Sequence, residues 1–159
     1  MVKEIHIYDI DGTLVDSTHR YRTVTKPCGA LAIDFPYWVQ NRHRAMNDSL
    51  LPLAEQYQAQ RNNPNVWTVL ATARAMHPQE WRHVETILKM PDHWISRKEG
   101  NMESGATLKI RGLNVMLDAL PELKGLPMFF YEDNNDYLDA VCQEFNNCTG
   151  IYVPSKQGY

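Results

Sequence analysis

Asp9 and Asp11 stand one residue apart and run into a glycine and a threonine, in the order Asp9-Ile10-Asp11-Gly12-Thr13. Two carboxylates this close repel, and closure around them removes the water that screens them. Such a pair is most easily kept around a hard cation. Gly12 lets the chain turn sharply without a Cβ penalty, and Thr13 brings a hydroxyl and a backbone N–H that an anion can use. The set suits a carboxylate nucleophile, a carboxylate acid/base and a magnesium ion working on a phosphate. An acidic turn after a strand is the plainer alternative, because Asp and Gly are common turn formers. Residues farther along the chain decide between the two.

A second apolar run ends in Leu70-Ala71-Thr72-Ala73-Arg74. A threonine there can hydrogen-bond a phosphate oxygen, and Arg74 can reach the same group with a planar fork. Another run, Met128-Phe129-Phe130-Tyr131, ends in Glu132-Asp133-Asn134-Asn135-Asp136. A second acidic strand end is what a magnesium site requires, since its oxygen ligands come from separate loops. Asp133 is the expected ligand, with Glu132 and Asp136 as candidates for the shell around it. Asp136 equally suits the first turn of a helix capped by Asn134 or Asn135. Lys109, at a helix start in Thr107-Leu108-Lys109-Ile110, could direct its ammonium at the carboxylates. Its rival, Lys98, lies in Arg97-Lys98-Glu99-Gly100, which reads as an exposed loop.

These residues need a scaffold that brings them together. Apolar runs at 5–8, 66–71, 128–131 and 151–153, with a weaker one at 94–95, read as strands. Between them, Trp81, Val84, Ile87 and Leu88 mark one face of a helix. A second face runs through Leu108, Leu113, Met116, Leu117 and Leu120 before Pro121, and a third through Leu138, Val141, Cys142 and Phe145. Strands alternating with helices predict an α/β fold, a parallel sheet covered on both faces. Open sheets of this kind place their chemistry at the carboxyl ends of strands, where both acidic clusters fall.

The segment from about 15 to 62 breaks that rhythm. Its first part, from Ser17 to Gly29, is polar and basic, with His19, Arg20, Arg22 and Lys26. Phe35-Pro36-Tyr37-Trp38 then opens a helical stretch toward Gln60, broken near 47–52. Placed directly after the acidic turn, this insertion is a natural lid, and it is too short to fold as a second domain. Arg20, Arg22 and Lys26, with Arg42-His43-Arg44, could track a nucleic-acid backbone while Tyr37 or Trp38 stacks on a base. Packing within the lid is the plainer use of the aromatics.

Composition narrows the class. The 159 residues predict one domain with a substantial core. A net charge of −3 carries no global basic signature of polyanion binding, though a local basic cleft stays compatible with it. The three cysteines form no CxxC pair, and an odd count speaks against a disulfide framework. They read as small buried hydrophobes in a reducing compartment. Met1-Val2-Lys3-Glu4 runs straight into the first strand, which leaves no room for a signal peptide's apolar segment. No apolar run approaches the ~20 residues of a membrane span. A cytoplasmic location is expected.

The order of these motifs, an aspartate pair, a strand-end threonine, a helix-borne lysine and a late acidic pair, resembles the haloacid dehalogenase superfamily of phosphotransferases. The resemblance spans Asp9 to Asp136, and within the superfamily it is nearest to the phosphatase domain of phage polynucleotide kinase–phosphatases. It rests there on the short lid after Asp9-Ile10-Asp11-Gly12-Thr13-Leu14, on Tyr37-Trp38, on Thr72 to Arg74 and on a late lysine before an acidic pair. The chain departs from that pattern with Ala73 where glycine is common and with Glu132-Asp133 where two aspartates are usual. It has no phosphate-binding GxxxxGK[ST] loop, so no kinase half is present.

The resemblance implies a three-layer Rossmann-like fold with a small lid after the first strand. It implies Asp9 as nucleophile, forming an aspartyl-phosphate, and Asp11 as the acid and later the base. Mg²⁺ would be held by Asp9, the Asp11 carbonyl and Asp133, while Thr13, Thr72, Arg74 and Lys109 would bind the phosphoryl oxygens. Arg20, Arg22 and Trp38 would meet the substrate from the lid. The expected substrate is a phosphorylated nucleic-acid end, with a terminal 3′-phosphate favoured. A nucleotidase or other small-molecule phosphatase is the alternative, and a non-catalytic phosphate-binding module the third possibility.

Overall fold

Alternation along three strands decides how the molecule is layered. In the computed structural model, which describes residues 1–155, Ile5 and Ile7 of β1 (Glu4–Tyr8), Val69 and Ala71 of β6 (Val66–Ala75), and Met128 and Phe130 of β8 (Met128–Glu132) point into one core. Their neighbours Tyr8, Leu70 and Tyr131 point into another on the opposite face. A period of two puts successive side chains on opposite faces, so both faces of this sheet need a cover. Helices α4 (Gly105–Ala119) and α5 (Asn135–Glu144) cover the first face with Leu108, Leu113, Met116, Leu138 and Val141. The second is covered by α2 (Leu53–Arg61) and α3 (Pro78–Leu88), through Ala54, Tyr57, Val84 and Leu88. Each large apolar side chain buried in this way contributes roughly 1.5–3 kcal/mol.

The sheet is completed by β7 (His93–Arg97) and β9 (Cys148–Tyr152), in the order β7-β6-β1-β8-β9 with every pairing parallel. From β1 the chain winds outward to β6 and β7, then α4 carries it back across the sheet to β8 and β9. The winding direction therefore reverses between the adjacent strands β1 and β8, which opens a crevice beyond their carboxyl ends. Asp9 follows β1 there, and Asp133 follows β8. The protein has the α/β parallel-sheet fold expected from its sequence, the weak strand at 94–95 included.

The connection from β1 to β6 differs more from expectation. Val15–Asp16 (β2) pairs antiparallel with Ser49–Leu50 (β5), and Thr23–Thr25 (β3) pairs with Leu31–Ile33 (β4) as a hairpin. The basic stretch up to Gly29 thus contains a strand that its polarity conceals, turned through Gly29 at φ +85°. The predicted helical stretch from Phe35 is two helices, α1 (Phe35–Asn41) and α2, separated by a 3₁₀ turn (Arg42–Asn47) and β5. Asp34 caps α1 by accepting the Tyr37 N–H. The cysteines also differ. Cys28 is exposed, and Cys142 and Cys148 are half-buried with their sulfurs 3.8 Å apart. No helix among the described residues is long and apolar enough to cross a membrane.

Candidate active site

The turn after β1 sets the first two carboxylates. Asp9 N–H donates to Tyr131 O at 3.0 Å, so the β1–β8 ladder runs one residue past β1 and holds Asp9 against the end of β8. The chain then folds back, with the Leu14 and Val15 N–H groups both donating to Ile10 O. This return requires the positive φ of Gly12, +78°. The Thr13 N–H closes the same turn on Ile10 O, at 3.3 Å, and so is not turned to the cleft as expected. The Thr13 hydroxyl is buried without a hydrogen-bond partner among the described residues.

Lys109 reaches the site because of its place on α4. Ser104 caps that helix by accepting the Thr107 N–H, and Lys109 lies one turn before Leu113 on the core-facing stripe. Its stem is therefore buried and its ammonium emerges beneath the sheet's carboxyl edge, donating to Asp9 Oδ1 at 2.8 Å and Glu132 Oε2 at 2.5 Å. Tyr137 walls this ammonium from the cleft side, its ring centroid 5.3 Å away. A Cβ on Gly105 would sit 2.5 Å from that ring, so only glycine permits the close approach. Lys98 is exposed on the cleft rim, away from the carboxylates.

Asp9, Glu132 and Asp133 each offer a carboxylate oxygen within 4.8 Å of the others, and all three are buried. Both oxygens of Glu132 are engaged, Oε2 with Lys109 and Oε1 with the N–H groups of Asp133 and Asn134. Asp133 Oδ2 accepts from the Ser155 hydroxyl, while its Oδ1 is buried with no partner among the described residues. Burial, the charge of Glu132 and to a smaller degree Asp11 push the Asp9 carboxyl up to about 7 against the pull of Lys109. Glu132 is raised to about 7, chiefly by burial, and Asp133 to about 6, by burial and the charge of Asp9. Burial alone would lower the Lys109 ammonium, but Asp9 and Glu132 outweigh it and hold it above its ordinary value. Three carboxylates against one ammonium leave the cluster short of positive charge. With the orphaned Asp133 oxygen, it fits a small hard cation. Asp136 is outside this group, exposed on the first turn of α5 where it complements the helix dipole. That corrects the expectation that it joins the metal's surroundings.

Asp11 faces away from this cluster. Its Oδ1 accepts from Arg20 Nη2 at 2.8 Å and Arg74 Nη1 at 3.1 Å. The register of β6 with β7 shifts between Ala71 and Ala75, so Thr72 and Arg74 lie in an irregular stretch of the strand. Thr72 is buried, and its hydroxyl oxygen accepts the Arg74 N–H. The Arg74 fork is thus turned to Asp11, where a free phosphate-binding fork was expected. Arg20 departs further. Expected on an open lid surface, it is fully buried, with Trp38 over its guanidinium at 4.2 Å. Arg22 remains exposed, paired with Asp34 and lying over Tyr37.

Two carboxylates in this region escaped the sequence reading. Asp48 accepts from both Arg20 and His19. Glu80 is buried beside Arg74 and accepts the His77 N–H at the start of α3. Neither sits at a strand end, and a lone Asp or Glu in a helical stretch carries no local signal of burial.

Above the carboxylates lies a cleft of about 530 Å³, within the size range of small-molecule sites. Asp9, Asp11 and Glu132 line its floor, and Ile33, Phe35, Trp38 and Val39 form an apolar wall. The rim at residues 98–103 is strapped down by Arg97, which donates to Ala73 O, Asn101 O and Glu103 O.

A doubly wound parallel sheet with Asp9, Lys109 and Asp133 gathered at the switch between β1 and β8 is the fold seen in haloacid dehalogenase-type domains. The chain belongs to the bacteriophage T5 5′-deoxynucleotidase family, whose model matches residues 1–89. Three solved structures carry the same fold. A chain of the Pnkp1/Rnl/Hen1 complex is 19% identical with a TM-score of 0.63, over 97% of this chain and 47% of that one. The haloacid dehalogenase-type domain of the effector Lem4 from Legionella pneumophila is 13% identical with a TM-score of 0.54, over 98% and 88%. The 3-deoxy-D-manno-octulosonate 8-phosphate phosphatase from Moraxella catarrhalis, solved with magnesium, phosphate and its sugar, is 14% identical with a TM-score of 0.50, over 99% and 71%. The chain spans less than half of the length of the protein it matches in the Pnkp1/Rnl/Hen1 complex. No curated protein matches it in sequence.

Proposed function

We propose that this protein is a magnesium-dependent nucleotidase that removes the phosphate of a nucleoside 5′-monophosphate through a phosphoryl group carried on Asp9. One observation carries the reading. Asp9 lies on the floor of a cleft sized for one small molecule, its Oδ1 tied to Lys109, under an apolar, aromatic wall. The wall suits a nucleobase, and the floor suits its phosphate. Asp9 would attack phosphorus as the bond to the 5′-oxygen breaks, and Asp11 would protonate that oxygen. In the second step Asp11 would take a proton from the water that attacks the Asp9 phosphate. Lys109 offsets negative charge at the nucleophile throughout. Asp9 and Asp133, with the Asp11 backbone carbonyl, would hold the magnesium ion, which supplies the positive charge that lets an anion approach an anion. Thr72 lines the cleft and would donate its hydroxyl to a phosphoryl oxygen. The β1–β6 connection then acts as a fixed lid.

The family's name supports a deoxynucleotide substrate, and the placement of the arginines supports a single nucleotide over a strand. Arg20 is sealed beneath Trp38, which withdraws it from a phosphate backbone and leaves Arg22, already paired with Asp34, as the exposed cation of the two. A panel of deoxynucleoside 5′-monophosphates, 3′-phosphorylated oligonucleotides and a sugar phosphate, assayed with Mg²⁺ and with excess EDTA, tests the reading. The highest kcat/KM is expected on the mononucleotides, with activity lost on chelation. A preference for the 3′-phosphorylated strand that weakens with added salt would place the substrate among nucleic-acid ends instead.

A further inference from the structure

Both guanidinium groups that reach Asp11 converge on one of its oxygens, and both pass close to a second carboxylate. Arg20 Nη2 and Arg74 Nη1 donate to Asp11 Oδ1. Asp48 takes Arg20 in a fork, Oδ1 accepting from Nε at 2.8 Å and Oδ2 from Nη2 at 2.9 Å. Arg74 Nη1 lies 3.8 Å from Asp48 Oδ2, and His19 Nε2 is 2.8 Å from Oδ1. The Asp48 side chain is 3% exposed and that of Arg20 0%, so these charge-assisted contacts are poorly screened. Asp48 does not line the cleft. Whatever it does for the reaction must pass through the arginines.

We propose that Asp48 is a positioning residue for proton transfer. It holds Arg20 in a fork and, with Glu80 on the other side, flanks Arg74, so that both guanidinium groups clamp Asp11 Oδ1, which stops the carboxyl group from rotating and leaves Oδ2 to serve the leaving oxygen. The inference rests on the assignment of Asp11 as the acid. The parts come from separate stretches of the chain: Asp11 from the turn after β1, Arg20 from the 3₁₀ turn Thr18–Arg20, Asp48 from the end of the 3₁₀ turn Arg42–Asn47, and Arg74 from β6. The β1–β6 connection therefore builds the acid's mounting as well as the cleft wall.

Protonation matters in proportion to the basicity of the leaving oxygen. A 4-nitrophenolate departs with little help, whereas the alkoxide of a nucleoside needs the proton from Asp11 as its bond to phosphorus breaks. The test measures kcat/KM, which covers steps up to the Asp9 phosphate, for Asp48→Asn, Arg20→Lys and Asp11→Asn on 4-nitrophenyl phosphate and on a deoxynucleoside monophosphate. Each variant is expected to lose at least about tenfold more on the nucleotide than on the aryl ester, while the inhibition constant of inorganic phosphate stays within about twofold. Arg20→Lys carries the comparison if Asp48→Asn does not fold, because lysine keeps a charge beside Asp11 but cannot fork onto Asp48. Equal losses on the two esters in Asp48→Asn and Arg20→Lys, with a graded loss in Asp11→Asn, would overturn the positioning role alone. Equal losses in Asp11→Asn as well would overturn the assignment of the acid, and the inference with it.

Discussion

Two charged regions meet at the mouth of this cleft, and they are built on opposite principles. The floor, at the ends of β1 and β8, sets Asp9, Glu132 and Asp133 against the single ammonium of Lys109. Beside it, a bracket reaching behind the cleft lining sets Asp11, Asp48 and Glu80 against Arg20 and Arg74, so that each guanidinium lies against at least two carboxylates. The floor's carboxyls are all pushed up, to between about 6 and 7. In the bracket, burial would lower the Arg20 guanidinium, but Asp48 and Asp11 hold it raised. A buried cluster with one ammonium for three carboxylates invites a cation, whereas carboxylates bridged by two guanidinium groups are held in place. The same protein thus keeps its nucleophile in a deficit and its acid in a brace.

The sharpest way to break this contrast is at the nucleophile. Asp9→Asn is expected to lower turnover by at least about 10⁴-fold, the scale of losing a nucleophile, with the fold kept by circular dichroism. Near-wild-type rates would remove the covalent route. Next in size is Lys109→Met, which deletes the floor's only cation among the described residues. A loss in kcat/KM of about 10²–10³-fold is expected, as for other groups that stabilise developing charge, while Lys98→Ala stays within about twofold. If Lys98 proved the more sensitive, the wrong lysine would have been assigned to the floor.

Proton linkage gives a smaller but more diagnostic effect. The floor carboxyls sit above their ordinary values of 3.8 and 4.5. Between about pH 4 and 7 the metal-free folded state therefore binds more protons than the unfolded one. Its stability from these groups is greatest at acid pH and falls as pH rises through that window. Magnesium should compensate the charge thus created. The rise in Tm on adding Mg²⁺ is expected to be largest near pH 8 and to shrink toward pH 5, followed by differential scanning fluorimetry. A rise independent of pH would mean that the floor does not hold the ion. Smallest of all should be Asp136→Asn, exposed on α5 and outside both regions, which is expected to change kcat/KM by less than about twofold.

How much of this was legible beforehand differs between the same two regions. The floor's residues announced themselves because each follows an apolar run. A strand's end is visible in sequence, and an open α/β sheet brings strand ends together. Lys109 was legible for a related reason, since it stands at the start of a helix, after the third strand and before the acidic one. The bracket was not. Arg20 read as a solvated cation, Asp48 went unnoticed in a broken helical stretch, and the β3–β4 hairpin hid inside a polar run. Long-range charge pairing has no period. Arg20 and Asp48 stand 28 residues apart, and Arg74 and Asp11 stand 63 apart.

The order of strands and helices, the sheet's two apolar faces and the acidic ends of β1 and β8 were thus determined by the sequence itself, through hydrophobic periodicity and turn chemistry that act over a few residues. Tertiary structure alone decided which charges became partners. It buried Arg20 under Trp38, turned Arg74 to Asp11, orphaned one oxygen of Asp133 and left Asp136 in solvent. The reason is physical: a charged side chain carries the same label wherever it sits, and only burial and the groups around it determine whether it binds a cation, braces an acid or meets water.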